Sequence, residues 1–496
     1  MKMRKNLKVF VSILLVVSMT IVSAGCGSKK KSTNKSKLNP DKPVTITVWN
    51  YYNGDQLTGF DELVEKFNTT VGMNKGIVVV SESLGDIGTL ADSLIDSVDG
   101  KAGAQECPTL ASVYSETAYI LNKKKALVNM DKYFKKEDLA KIVPDFLEEG
   151  RFENKNELLS YPILKSTEIF AANETDWKDF AKATGVQLKD IKTKEDLVKA
   201  AQKYYKWTDD KTPDVPEDGK ALYGRDSIAN YIYLGSYELG HELFKEKNGK
   251  LEVDMDRDVF KTLWDNYYIP FINGYFAANA KFRSEDAKTG QILALTSSSS
   301  STGYLPDRVT LEDDSTHKID MYETKELLFK DAVVDAVVQQ GANYCMLKKS
   351  TEVQQEAAAE FLKWFSKPEQ NMNFAVTSGY SPVYLQANDE KSITEAYKGD
   401  TSTSSGKNIL NSLIISADAF TKSTAYDIKP FNGSKSVRSY LGDALDIRAK
   451  EDREKVVKKI KAGSSREEAV KEFSTDEYFD KWFDEITAEA KKLTSE

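Results

Sequence analysis

The stretch VTITVWNYYN, residues 44–53, decides how the rest of the chain is read. Residues 44–49 alternate with the period of two of a strand and are rich in β-branched side chains. Phe60, Leu63, Val64 and Phe67 then fall at i, i+3, i+4 and i+7, one face of a helix. Thr58 and Asp61 are its expected caps. IVVV, residues 77–80, is a continuous apolar run of the kind found in central parallel strands. Leu90, Leu94, Ile95 and Val98 give a second helix face, and TLASVY, residues 109–114, a third strand. The order β-α-β-α-β predicts a parallel sheet wound by right-handed crossovers. Ligands of such open sheets bind beyond the carboxyl ends of the strands. Those ends are 50–53, 81–83 and 115–117.

Outward from this core the chain continues as α/β. Thr193 and Asp196 form a capping box ahead of Leu197, Ala201 and Tyr204. Ala357, Phe361, Trp364 and Phe365 make an apolar stripe, and Pro368 opens the next helix at its first turn. Phe473, Trp482 and Phe483 are core anchors of a helical C-terminal third. Residues 208–220 and 386–407 read as surface loops, and no internal repeat is present. At 496 residues the chain exceeds what one hydrophobic core sustains, so two lobes are expected. A net charge of −8 argues against a nucleic-acid partner.

Residues 1–25 read as a secretory signal: Lys2, Arg4, Lys5 and Lys8, then a short apolar run, then small residues. Ala24-Gly25-Cys26 resembles the lipobox of bacterial lipoproteins, in which the cysteine is lipidated and becomes the first residue. Ser23 stands where that motif usually has Leu. Residues 26–42 are polar and Lys-rich, a flexible tether that could span roughly 50–55 Å if extended. Cys107 and Cys345 are the remaining cysteines, and Cys345, in an apolar run, reads as a buried free thiol.

Several runs together resemble the family-1 extracellular solute-binding proteins of ATP-binding-cassette (ABC) importers, the relatives of maltose-binding protein. They are ITVWNYYNG (46–54), FDELVEKFN (60–68), YPILKSTEIFAAN (161–173), LWDNYYIPFINGYFA (263–277), KFRSEDAKTGQILALTSSSSS (281–301), VVQQGANYCMLKKS (337–350) and FLKWFSKPEQNMNFAVTSGYSPV (361–383). The resemblance implies a two-lobed periplasmic-binding-protein-like fold of type II. One lobe would hold 43–164 and 329–384, the other 165–328 and 385–496. The chain would cross a hinge near 164–169, 322–330 and 384–391. It further implies capture of a sugar or oligosaccharide between the lobes, delivery to ABC permease subunits, and a monomer held at the extracytoplasmic face of the membrane through lipid on Cys26. No cofactor is implied.

Sugars present apolar C–H faces to aromatic rings and hydroxyl rims to carboxylates and amides. The resemblance places Tyr51, Tyr52, Glu116, Ser166, Glu168, Ser298, Ser299, Gln340, Phe431 and Asn432 at the cleft. Only one of Tyr51 and Tyr52 should face ligand, because neighbours on an extended segment point opposite ways. Glu168 has a second reading, a bond to the other lobe, and Arg225, Asp226 and Asn230 could line the second lobe. Gly341 after Gln339 and Gln340 permits close backbone approach. Trp264, Tyr267 and Tyr268 share one helix face and read as core.

Catalytic signatures are absent: no Gly-x-Ser-x-Gly elbow, no phosphate loop, no His-Glu-x-x-His. Asp254, Asp256 and Asp258 mimic part of a calcium loop, but Val259 stands where Gly is needed, and helix capping explains them better. Three other readings remain: a binding protein for a non-sugar solute such as a peptide, a ligand-presenting sensor partner in place of a transport component, and a surface glycoside hydrolase, which needs two carboxylates about 5–10 Å apart.

Overall fold

The computed structural model describes residues 36–215, 217–247 and 250–495. The signal, Cys26 and most of the tether lie outside the described residues.

Two sheets organise the body. The first runs in the order Ile77–Ser83, Val44–Asn50, Leu110–Val113, Asn343–Met346, Ser160–Pro162. Val44–Asn50 pairs in parallel with both of its neighbours, as the early sequence predicts. Asn343–Met346, from far along the chain, inserts antiparallel between Leu110–Val113 and Ser160–Pro162. The second sheet orders Met321–Lys325, Glu168–Asn173, Ala294–Ser298, Tyr223–Arg225. Each carries its own core. Ile46, Phe60, Phe67, Tyr344, Phe361 and Phe374 pack around the first. Phe170, Trp177, Trp264, Tyr267, Tyr268, Phe479 and Trp482 pack around the second.

Core membership changes at three passages along the chain. Leu164 belongs to the first core and Phe170 to the second; Phe329 to the second and Val337 to the first; Ala425 to the first and Phe431 to the second. These changes of core fall at 164–170, 329–337 and 425–431; the sequence reading drew hinge crossings near 164–169, 322–330 and 384–391, and the third differs most. The reason for the last shift is the helix Ser404–Lys422, whose Leu413, Ala417 and Phe420 pack in the first core. Ala387, Ile393, Leu413, Ala417, Phe420 and Ala425, drawn with the second lobe from sequence, therefore bury in the first core. Short pairings tie the passages together: Leu164–Lys165 lies antiparallel to Ser381–Pro382, Ser166 bridges Gln340, and Ala336–Val338 runs parallel to Thr424–Tyr426. Gly341 is required here. Its φ is +111°, and a Cβ would lie 2.7 Å from the Leu164 carbonyl oxygen.

Two local expectations are corrected, the start of the first helix and the loop 386–407. The helix Gly54–Phe67 starts a turn before Thr58, with Asn53 in the N-cap position. Asn53 is fixed there by a bond from its Nδ2 to the Gly85 carbonyl at 2.6 Å. The supposed loop 386–407 contains the helix Glu390–Ala396, capped by Asp389. Asp256 caps the helix Arg257–Ile272 through Asp258 N and Val259 N, and among the described residues no cluster of three or more His, Cys, Asp or Glu could hold a metal ion. Cys107 and Cys345 are free thiols. Among the described residues no helix is long and apolar enough to cross a membrane.

Candidate functional site

Groups from both lobes and from the passages converge beyond the carboxyl ends of the first sheet. Tyr51 follows Val44–Asn50. Tyr114, Ser115 and Glu116 follow Leu110–Val113, with Ser115 opening the helix Ser115–Lys123. Tyr380 follows the helix Pro368–Ser378 and its left-handed cap Gly379. The Tyr51 hydroxyl meets that of Tyr380, and burial together with the neighbouring Tyr380, Tyr52 and Tyr114 holds it well above the usual tyrosine range. Burial pushes Tyr114 up to about 12, with Tyr380 and Glu116 adding to the effect. From the second lobe, Arg438 on the helix Ser434–Lys461 donates to the Asn230 side-chain oxygen.

Between them lies Asp427, on the third passage. Ser115 Oγ donates to its Oδ2 at 3.3 Å. Burial, then the carboxylates of Glu149 and Glu116, push Asp427 up to about 8, against the opposing pull of Lys165 and Arg438. Asp427 is therefore largely protonated at neutral pH. Glu149 itself is occupied: it accepts from Lys165, whose side chain is fully buried, and from Gln339 Nε2. Lys165 also donates to the Gly341 carbonyl at 2.9 Å.

The sequence candidates divide by placement. Tyr51 and Glu116 belong to this convergence. Tyr52 does not: it is 4% exposed and its ring packs against Phe60 and Phe374. Glu168 is 2% exposed, with Arg225 Nη2 at 2.7 Å and Asn230 Nδ2 at 3.0 Å. Arg225 also reaches Glu326 at 3.3 Å, so Glu168 serves an ion-pair network inside the second lobe. Burial raises the Glu168 carboxyl, and Arg225 opposes the shift. Ser166, Ser298, Ser299 and Gln340 form a second polar group where the lobes meet. Ser166 and Gln340 exchange backbone bonds at 3.0 and 2.9 Å, Ser298 Oγ lies 3.5 Å from Ser166 Oγ, and Ser299 exchanges bonds with Thr167. Ser300 backbone abuts Gly379, where a Cβ would stand 3.2 Å from its carbonyl. Phe431 is buried against Phe244 at 4.6 Å, and Asn432 is exposed just before the helix Ser434–Lys461.

Sequence reasoning missed Tyr114, Tyr380, Glu149, Lys165, Asp427 and Arg438. The strand-end rule that selected Tyr51 also selects Tyr114. A lysine inside the apolar run YPILKSTEIF is a signal for a buried, paired charge. Asp427 and Arg438 carry no local signal, since only the fold brings them near Glu116.

The arrangement can hold a small solute by stacking and hydrogen bonding between lobes, and comparison with known proteins agrees in fold. No match is found among curated protein sequences. The cyclic α-maltosyl-1,6-maltose binding protein of Arthrobacter globiformis is similar in structure at 15% identity, with a TM-score of 0.63 over 91% of this chain and 100% of that one. UgpB of Mycobacterium tuberculosis, solved with glycerophosphocholine, gives 14% identity and 0.62 over 91% and 98%. An ABC transporter solute-binding protein of Agrobacterium radiobacter K84, solved with ribitol, gives 17% and 0.60 over 92% and 100%. The family model for bacterial extracellular solute-binding protein matches residues 62–400, most of the described body, and the chain belongs to that family.

Proposed function

We propose that this protein captures a sugar or oligosaccharide between its lobes and delivers it to the permease of an ABC importer, anchored to the outer face of the cell membrane by lipid on Cys26. The observation that carries the reading is the convergence of Tyr51, Tyr114 and Tyr380 with Glu116 and Asp427 across the passages. Rings of this kind stack on the C–H faces of a sugar. Carboxyls accept its hydroxyls through charge-assisted bonds, or donate when protonated. Two of the similar structures were solved as a maltoside-binding protein and with a polyol, which supports polyhydroxylated ligands. The three passages act as a hinge that closes the lobes on the solute. Ala24-Gly25-Cys26 supports the anchor.

A thermal-shift screen of the mature protein against a glycan panel, followed by calorimetry, tests the ligand class. A cognate sugar at 100 times its dissociation constant stabilises by about 2.7 kcal/mol. A panel of mono- and oligosaccharides in which no member shifts the melting point overturns it. The anchor is tested separately: Cys26→Ala releases the protein from the membrane or blocks its processing, and a Cys26→Ala protein that is cut normally yet stays membrane-bound refutes it.

A further inference from the structure

We propose that the solute bound here carries a protonated amine, as an amino sugar does, and that the ammonium sits between the carboxyl groups of Glu116 and Asp427, within reach of the tyrosine rings. The inference rests on the sugar reading of the same cleft and narrows it.

Charge arithmetic carries the argument. Four charged groups face Asp427: Glu149 on Pro144–Glu149, Glu116 on Ser115–Lys123, Lys165 on the first passage and Arg438 on Ser434–Lys461. Asp145, on the same helix as Glu149, is turned to the Ala425 amide at 2.8 Å. Lys165 and Glu149 satisfy each other in a buried pair. That leaves two carboxyls, Glu116 and Asp427, and one cation, Arg438. Arg438 is held by the Asn230 oxygen and, among the described residues, forms no ion pair within 4.0 Å. One negative charge is in excess if both acids ionise.

An independent group lies among the same charges. Tyr233 is 4% exposed, and its hydroxyl has no hydrogen-bond partner among the described residues. Its electrostatic neighbours are Arg438, Tyr426 and Glu116, so an unsatisfied buried hydroxyl faces this cluster from the second lobe. An ammonium has three donors and no acceptor. It satisfies an acceptor on Glu116, one on Asp427 and one on the Tyr233 oxygen, and ring faces stabilise the same charge.

Proton balance follows. Without a cation the excess is relieved by a proton on Asp427, whose carboxyl is pushed up to about 8 by burial and by Glu149 and Glu116. When an ammonium enters below that pH, the Asp427 O–H bond breaks, the proton leaves to buffer, and the carboxylate pairs with the ammonium, which keeps its own protons. One proton is released for each ligand bound.

The test is calorimetry at about pH 6.5 in two buffers of different ionisation enthalpy. The probes are matched pairs: glucosamine with glucose, and the β-1,4 glucosamine disaccharide with cellobiose. The expected result is an amine bound at least about tenfold more tightly than its hydroxyl counterpart, with proton release. Asp427→Asn brings that ratio towards one and abolishes the release. Glu116→Gln lowers the ratio in the same direction, with circular dichroism confirming the fold of both variants. Equal or tighter binding of the neutral members overturns the amine and leaves the sugar reading standing. A preference for the amine that persists undiminished in both variants overturns the placement. Binding by no member of either pair overturns the proposal together with its parent reading.

Discussion

At the scale of single residues, position along a strand end separates the groups of the proposed site from core. Glu116 stands at a helix start facing Asp427, so Glu116→Ala is expected to weaken binding of the cognate solute roughly tenfold to a few hundredfold, from the 1.5–3 kcal/mol typical of charge-assisted hydrogen bonds. Tyr51→Ala is expected to cost binding in a similar range and leave the fold intact. Tyr52→Ala should do the reverse, because Tyr52 is wedged against Phe60 and Phe374 and truncating a buried aromatic costs about 3–5 kcal/mol. Calorimetry for binding and urea denaturation for stability separate the two tyrosines; equal losses of binding with no change in stability would contradict this division. Glu323 gives a pH signature. It lies on Met321–Lys325, and burial pushes it up to about 8. The unfolded carboxyl loses its proton near about 4.3, so between there and about 8 the folded state holds more protons and stability falls as pH rises. Glu323→Gln cannot ionise. Its melting temperature relative to the unmodified protein should climb steadily from pH 5 to pH 8; a flat difference across that window would show that burial at Glu323 carries no cost.

At the scale of elements, what was legible in the sequence follows the range of the interactions. The capping box at Thr193 and Asp196, the Pro-started helix Pro368–Ser378 and the parallel pairing of 44–50 with 77–83 are set by residues within a few turns of each other, and all are present. The insertion of Asn343–Met346 beside Leu110–Val113, and the docking of Ser404–Lys422 on the first core, depend on contacts hundreds of residues apart and leave only an apolar stripe in the sequence. The site divides the same way. Tyr51 and Glu116 are strand-end residues and could be read; Asp427 and Arg438 join them only through the third passage. The passages themselves hang on tight backbone contact at Gly341. Gly341→Ala would force a left-handed φ on a residue with a Cβ and press it on the Leu164 carbonyl. The expected cost is about 1–3 kcal/mol in chemical denaturation, with weakened solute binding because the Ser166–Gln340 bridge is disturbed. An unchanged denaturation midpoint would mean that the pairing adjusts without strain.

At the scale of the whole molecule, two cores of comparable size are joined by three short passages, and the polar groups that meet between them differ in kind. Ser166, Ser298 and Ser300 are small hydroxyls that can part and rejoin water at little cost. Lys165 and Glu149 are a buried pair that cannot: removing one partner leaves an uncompensated charge, at about 3–5 kcal/mol. The pair therefore anchors the first passage to the first lobe, while the serine contacts are free to open. Lobe opening should accordingly pivot about the Lys165 end and part the lobes along the serine rim, and closure on the solute should bring them back together. Small-angle scattering of the mature protein is expected to show a smaller radius of gyration with saturating solute than without. Glu149→Ala should lower stability by the amount above and blur that difference, since the pivot loses its fixed end. A radius of gyration unchanged by a solute that calorimetry shows to be tightly bound would rule out a closing cleft and leave a rigid groove as the mode of capture.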